Sequence, residues 1–273
     1  MDPELGNREQ VTGNSLFSSS IPCSLDTIPM TLSHLPPPRW LSFGCFGTLI
    51  DWQAGVARAF REILPPGLDD SAGIFPVWER IQWEKLRSPY LPYEEILRSS
   101  FCEASETLGY RCRSFAADAF VDSLARWEPF PDVNPALVRL ARRYKLAIIS
   151  NIDRRLLGGS LRRLAVRFDA LITAEDAQAY KPGPAIFQLA LQRMGCLPQE
   201  VAHVAFGAAY DLEPASALGF QVVYLNRQGL PRPETPPAAE IHSLEELPGL
   251  WETAPASPRA VSAASAGRRG AEP

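Results

Sequence analysis

Lysine is scarce in this chain: Lys85, Lys145 and Lys181 are the three among 273 residues. Arginine supplies the rest of the 27 basic side chains, and against 31 acidic ones the formal net charge is -4. A chain without a basic surplus offers no electrostatic footprint for nucleic acid or for an anionic membrane surface. No apolar run approaches the roughly 18 residues of a membrane-spanning helix. Residues 1–38 hold one basic side chain, Arg8, and no apolar segment, so neither a signal peptide nor a transit peptide is expected. CxxC spacing is absent as well. The five cysteines, Cys23, Cys45, Cys102, Cys112 and Cys196, are odd in number and scattered. They read as free thiols in a reducing compartment, not as a disulfide framework or a zinc site, and the expected location is cytoplasmic. Internal repeats are also lacking.

What is present is a globular composition, 46% hydrophobic and 21% charged, with length for one or two domains. Proline divides the chain: fourteen of its 26 prolines lie before Arg39 or after Leu230. Residues 1–38 read as a disordered leader ending in Pro36-Pro37-Pro38, and 251–273 as a disordered Ala/Ser/Pro/Arg-rich tail. Between them, strand-length apolar runs occur at 40–43, 145–149, 170–172, 201–205 and 221–225. From Tyr144 onward they alternate with helical segments, the pattern of βαβ units and a parallel sheet. After Pro184, residues Ile186, Phe187, Ala190, Leu191 and Met194 share one helical face, and Gly195 stops the run.

The stretch from Asp51 to Pro131 has no strand pattern. Leu97, Phe101, Ala104 and Leu108 form one helical stripe, and Trp78, Ile81 and Leu86 suggest another. An all-helical insertion after the first strand sits over the carboxyl ends of the sheet, where open α/β folds bind ligands. The fold expected is α/β: a Rossmann-like parallel-sheet core, 39–51 plus 132–250, with an inserted all-helical cap at 52–131. The cap is rich in large side chains (Phe75, Trp78, Trp83, Tyr90, Tyr93, Phe101), two or three of them expected to face the cleft, which favours a sizeable apolar ligand.

Four segments carry a resemblance. Phe43-Gly44-Cys45-Phe46-Gly47-Thr48-Leu49-Ile50-Asp51 resembles the first motif of the haloacid dehalogenase (HAD) superfamily, whose usual form is F-D-x-Y/D-G-T-L-x-D. Ile149-Ser150-Asn151 resembles the second motif and Tyr180-Lys181-Pro182-Gly183-Pro184 the third. His203 to Asp211, running on to Phe220, resembles the fourth. Together they span 39–228 in order, and the 2-haloacid dehalogenase type with a helical cap is the nearest subgroup.

Two departures bear on function. The resemblance puts the family's nucleophilic aspartate at Gly44, which has no atom that can attack. It puts a metal-binding aspartate of phosphatase members at Phe206, which leaves a magnesium site poor in oxygen; Ala208 replaces a further small polar residue of this loop. No metal and no cofactor is expected, and a metal-dependent phosphatase is excluded. The resemblance implies Lys181, Asp211 and Ser150 as candidate catalytic residues, with Thr48, Asn151, Phe46 and Phe206 as candidate substrate contacts. Lys181 paired with Asp211 could bind a carboxylate or polarise a carbonyl, or act as acid, base or amine nucleophile with a depressed pKa.

Structural roles compete with these. Asp211 reads also as the N-cap of a helix at 212–218, and Ser150 and Asn151 as caps after their strand. Asp51 reads as a cap of the next helix or a hinge. Cys45 reads as an inert buried thiol and His203 as a satisfied core histidine; His34 and His242 carry no signal. The function expected first is non-hydrolytic: isomerisation, elimination or cyclisation, pericyclic included, of an apolar carbonyl-containing metabolite, in secondary metabolism. The alternatives are a residual dehalogenase-like hydrolase that activates water directly, with Asp211 or another carboxylate as base, and a non-catalytic binding or scaffold protein. The partner expected is a small-molecule substrate between core and cap, with a homodimer left open.

Overall fold

A computed structural model describes residue 32, residues 35–66 and residues 71–251. The remainder of the leader and tail, with Arg8, Cys23 and His34, lies outside the described residues. Six strands run parallel in one sheet: β1 (Trp40–Phe43), β2 (Lys145–Ser150), β3 (Ala170–Thr173), β4 (Val201–Ala205), β5 (Gln221–Leu225) and β6 (Ala239–Ile241). Their order is β3-β2-β1-β4-β5-β6, that of a Rossmann-like sheet.

Alternation along the strands covers both faces. Leu41, Phe43, Leu146, Ile148, Ala202 and Val204 pack toward α5 (Val133–Leu140), while Trp40, Ile149, Val201 and Ala205 pack toward the other side. There they meet Ile186, Phe187, Ala190 and Met194, the apolar face of the helix Ala185–Met194, which ends at Gly195 in a left-handed cap. Leu191 is only partly buried.

Four helices, α1 (Trp52–Ile63), α2 (Ser71–Leu86), α3 (Tyr93–Thr107) and α4 (Ser114–Ser123), lie between β1 and α5. They share an aromatic core in which the Phe120 ring lies 5.3 Å from Phe60, 5.0 Å from Phe101 and 5.5 Å from Trp78. Trp78, Ile81, Leu97, Phe101 and Ala104 are buried as the stripes suggest; Leu108 caps α3 at the surface. The chain leaves and re-enters the sheet region through one antiparallel crossing, with Asp51 N–H donating to the Glu128 carbonyl and Phe130 N–H to that of Leu49. Asp51 caps α1 through its carboxylate and the Ala54 N–H, at 3.1 Å.

Gly55 in α1 is where the backbone comes closest to this crossing. A β-carbon there would lie 2.3 Å from Trp127 Cγ, and Trp127 is fixed by its indole N–H to Ser123 Oγ at 3.1 Å. Gly55→Ala is therefore expected to destabilise by about 1–3 kcal/mol despite the better helix propensity of alanine, seen as a lower Tm.

Downstream of β2 the helices are α6 (Arg154–Leu161), α7 (Ala174–Ala177), α8, the 185–194 helix just described, and α9 (Glu213–Ala217). Three sequence expectations need correction. Leu32 and Trp251, assigned to leader and tail, are buried; Leu32 N–H donates to the Leu250 carbonyl, and Gln221 binds the Pro36 carbonyl at 3.0 Å. Cys102 and Cys112 are not free thiols but a disulfide, Cα atoms 5.0 Å apart, joining α3 to the segment before α4; Cys45 and Cys196 are free. The strand β6 carried no sequence signal. No helix among the described residues is long and apolar enough to cross a membrane.

Candidate functional site

The strand order reverses between β1 and β4, and the crevice outside their carboxyl ends is where such sheets bind ligands. Gly44 follows β1, Ser150 ends β2, and Phe206 to Asp211 follow β4. Gly47 takes φ +83 in the loop after β1, and a β-carbon there would strike the Phe206 ring at 2.1 Å. A side chain at that position is excluded twice over, by conformation and by contact.

At the centre is a buried ion pair. Lys181 Nζ donates to Asp211 Oδ1 and to the Ile149 carbonyl, the latter at 3.0 Å, and both side chains are about as buried as the sheet core. His203 adds a third contact: its Nε2 lies 3.1 Å from the same Asp211 oxygen and its Nδ1 2.9 Å from Ser42 Oγ. Burial pushes the His203 pKa down, against the raising effect of Asp211, so the imidazole is neutral. An ionised carboxylate only accepts, so Nε2 carries the proton and Nδ1 accepts from the Ser42 hydroxyl. For Asp211, burial acts to raise the pKa, but the Lys181 charge and the His203 hydrogen bond outweigh it and hold the carboxyl below its usual range.

Asp211 does not cap a helix. It sits within a π-helical turn, Ala208–Leu212, that precedes α9 and turns the carboxylate inward. Its pairing makes a pH prediction. A carboxylate with a depressed folded pKa stabilises the fold above its unfolded value of about 4, and that contribution disappears as pH falls through the folded pKa. Tm measured against pH should drop steeply in acid, and the double variant Lys181→Met/Asp211→Leu should show a shallower slope there.

The other candidates divide. Asn151 holds the backbone of Lys181 on both sides: its Oδ1 accepts from the Lys181 N–H at 2.7 Å and its Nδ2 donates to the Lys181 carbonyl at 3.1 Å. Neither it nor Ser150 caps α6, whose cap position is Asp153. Ser150, Asn151, Phe46 and Phe206 line the cleft with Lys181 and Asp211, whereas Thr48 lies beneath Gly44. Cys45 also lines it, but burial pushes its thiol up to about 12, which leaves it protonated and inert.

The cleft is closed from above by α2 and α3. Trp83 stacks at a tilt on Tyr210, ring centroids 4.8 Å apart, and Tyr93 donates its hydroxyl to Gln82 at 2.6 Å. Of the six aromatic candidates, Trp78, Trp83 and Tyr93 line the cleft, while Phe75, Tyr90 and Phe101 do not. Asp153 fastens the helices to the sheet domain by accepting the Tyr93 and Glu94 N–H groups at 2.9 and 2.8 Å. The cleft is partly open to solvent, and the space inside it is about 80 Å³.

Among the described residues Asp211 is the one carboxylate lining the cleft, and its Oδ1 is already held by an ammonium. With Gly44 bare and Phe206 apolar, these donors do not fit a magnesium ion. Sequence reasoning missed Ser42, Tyr210 and the part His203 plays. A signal was available: Ser42 and His203 are register partners on adjacent strands buried on both faces, where polar side chains require each other.

A family model described as haloacid dehalogenase-like hydrolase matches residues 39–219. The (S)-2-haloacid dehalogenase 4A of Burkholderia cepacia is 30% identical over 217 residues, covering 77% of this chain and 91% of its own. A dehalogenase crystal structure with an intermediate complex superposes with a TM-score of 0.71 at 29% identity, over 80% of this chain and all of that one. The L-2-haloacid dehalogenase of Xanthobacter autotrophicus, solved with chloropropionic acid covalently bound, gives 0.68 at 27%, over 77% and 97%.

Proposed function

Since the chain belongs to the haloacid dehalogenase-like hydrolase family, we propose that it acts on a small carbonyl- or carboxylate-bearing compound without forming a covalent enzyme intermediate at position 44. One observation carries this reading. The cleft keeps a complete buried pair, Lys181 with Asp211, while Gly44, where the motif resemblance puts the nucleophile, offers backbone alone. A fixed ammonium beside an apolar cavity stabilises negative charge as it develops on a carbonyl or carboxylate oxygen. Pairing with a carboxylate suits that role better than attack by a neutral amine. The indole and phenol walls would hold the substrate in a reactive conformer, which favours isomerisation, elimination or cyclisation. The small-molecule substrate and its place under α2 and α3 belong to the same proposal.

Hydrolysis by directly activated water is the second reading, favoured by Asp211 Oδ2, which faces the space over Gly44. The two are separated by mass. Wild type and Lys181→Ala are incubated with metabolite extract and with a panel of 2-haloacids. A compound consumed by wild type alone with no mass change supports isomerisation or cyclisation, loss of a small molecule supports elimination, and water gain or halide release supports hydrolysis. Binding without consumption, by folded protein, would overturn the enzyme reading in favour of a binding protein.

A further inference from the structure

Beside the cleft lies a second, larger space, between the start of α1 and the loop that follows β5. It measures about 260 Å³ and, like the cleft, is partly open to solvent. The two share walls: Trp52 and Phe206 line both. A single layer of side chains therefore parts the Lys181–Asp211 pair from this second space, which lies at the same carboxyl edge of the sheet.

The two shared walls are held differently. Trp52 opens α1 and stacks on Phe75, ring centroids 5.3 Å apart with 29° between the planes. Phe206 stands on the loop after β4, its ring over the bare backbone of Gly47 and edge-on to Tyr210 at 5.8 Å. It is only partly buried. A ring with open space on two sides forgoes packing there and has room to change rotamer. Turning it joins the two spaces into one.

The lining says what fits. Phe130, Leu225 and the exposed Leu230 give apolar surface. The charges present are already engaged. Arg227 spends Nη1 on Asp132 at 2.9 Å and Nη2 on the Thr48 carbonyl at 3.1 Å, and its guanidinium lies over the Phe130 ring, 4.1 Å from the centroid. Asp51 accepts the Ala54 N–H. The amides of Gln53 and Gln228 bond each other at 2.7 Å, joining α1 to the loop after β5. What is left to recognise a ligand is mostly rings and aliphatic surface, the usual lining of a small-molecule site.

Resting on the reading that Lys181 holds a carbonyl or carboxylate, we propose that this second space takes a planar, uncharged ring of the same substrate, with Phe206 as the movable wall between head and body. The substrate class is then a carbonyl or carboxylate compound bearing an aromatic or conjugated ring. Phe206, where the motif resemblance puts a metal-binding aspartate, serves shape instead of charge.

Two probes, propionate and 3-phenylpropionate, are titrated by calorimetry against wild type and Leu230→Trp. Wild type should bind the phenyl acid tighter by about tenfold or more, the gain from burying a ring. Leu230→Trp fills the space from its exposed rim, so it should keep the wild-type Tm and its affinity for propionate and lose the phenyl advantage. A neutral probe tests the space without the ammonium. Wild-type crystals soaked in iodobenzene should show anomalous density for iodine bounded by Trp52, Phe130 and Phe206. Equal affinity for the two acids in wild type, a phenyl advantage undiminished in folded Leu230→Trp, or no iodine in that space overturns the proposal. Failure of both acids to bind, with iodobenzene in place, upholds the ring site and counts against the reading of Lys181 as the holder of the carboxylate.

Discussion

Gly44→Asp is expected to create a covalent dehalogenase from this chain, raising halide release from 2-chloropropionate by at least ~10³-fold. That is a fraction of the ~10⁶ that losing a nucleophile costs in an intact hydrolytic site, because Phe206 and Ala208 stay as they are. The backbone admits the change: Gly44 is outside the left-handed region, and its nearest obstacle is the Thr48 hydroxyl at 3.0 Å, which gains a carboxylate to bond. The new group would stand near Lys181, whose ammonium would then balance two carboxylates. Intact-protein mass spectrometry of the variant should show an adduct during turnover. The same substitution should carry a stability cost. A second carboxylate beside Asp211 Oδ2 raises the pKa of one of them, so the variant should be less stable than wild type at neutral pH and recover on mild acidification. Halide release unchanged from background, with the variant folded, would mean that Lys181, Asp211, Ser150 and Asn151 do not retain a hydrolytic arrangement.

The second large effect belongs to Lys181. Lys181→Met should destabilise the protein by about 3–5 kcal/mol, since it leaves Asp211 charged and unmatched in the interior. His203 gives Asp211 a single N–H, and the burial that pushes its pKa down opposes its taking over the charge that Lys181 carries. Removing both partners together, as Lys181→Met/Asp211→Leu, should restore much of the loss, as apolar replacement of a whole buried pair commonly does. Turnover should behave differently from stability. It should fall by roughly 10²–10³-fold in the single variant, the usual cost of one charge-stabilising donor, and should not return in the double variant. Chemical denaturation alongside initial rates separates the two effects; recovery of rate together with stability would show that Lys181 acts only as a structural group.

Much of the fold was legible in the sequence for a simple reason. Strands buried on both faces read as apolar runs, and β1 to β5 fall within a residue of those runs. The strand β6 is three residues long and follows a proline-rich stretch, so it has too little pattern to register. Leu32 and Trp251 were hidden by the proline- and serine-rich composition beside them, and their burial depends on tertiary contact. The disulfide gave no signal either, since Cys102 and Cys112 have no motif spacing and are brought together by the turn after α3. In the site, Lys181 and Asp211 were joined correctly through the motif resemblance, but the reason Asp211 faces inward is the π-helical turn, which no local propensity announces. Asn151, expected among the substrate contacts, lines the cleft and also spends its amide on the Lys181 backbone, which the motif resemblance did not announce. His203 was read as a satisfied core residue and is one, through Ser42 and Asp211, which places it in the same network as the candidate catalytic pair.

The central claim is that this member of the family works with no bond between enzyme and substrate, and intact-protein mass spectrometry during turnover tests it most directly. Wild type and Gly44→Asp are each mixed with a compound that wild type consumes, quenched within the first turnovers and weighed. The account predicts a wild-type mass that never changes, beside a transient adduct in Gly44→Asp where the compound is a 2-haloacid. An adduct on the wild-type protein, at Lys181, Cys45 or any other side chain in the cleft, would contradict it.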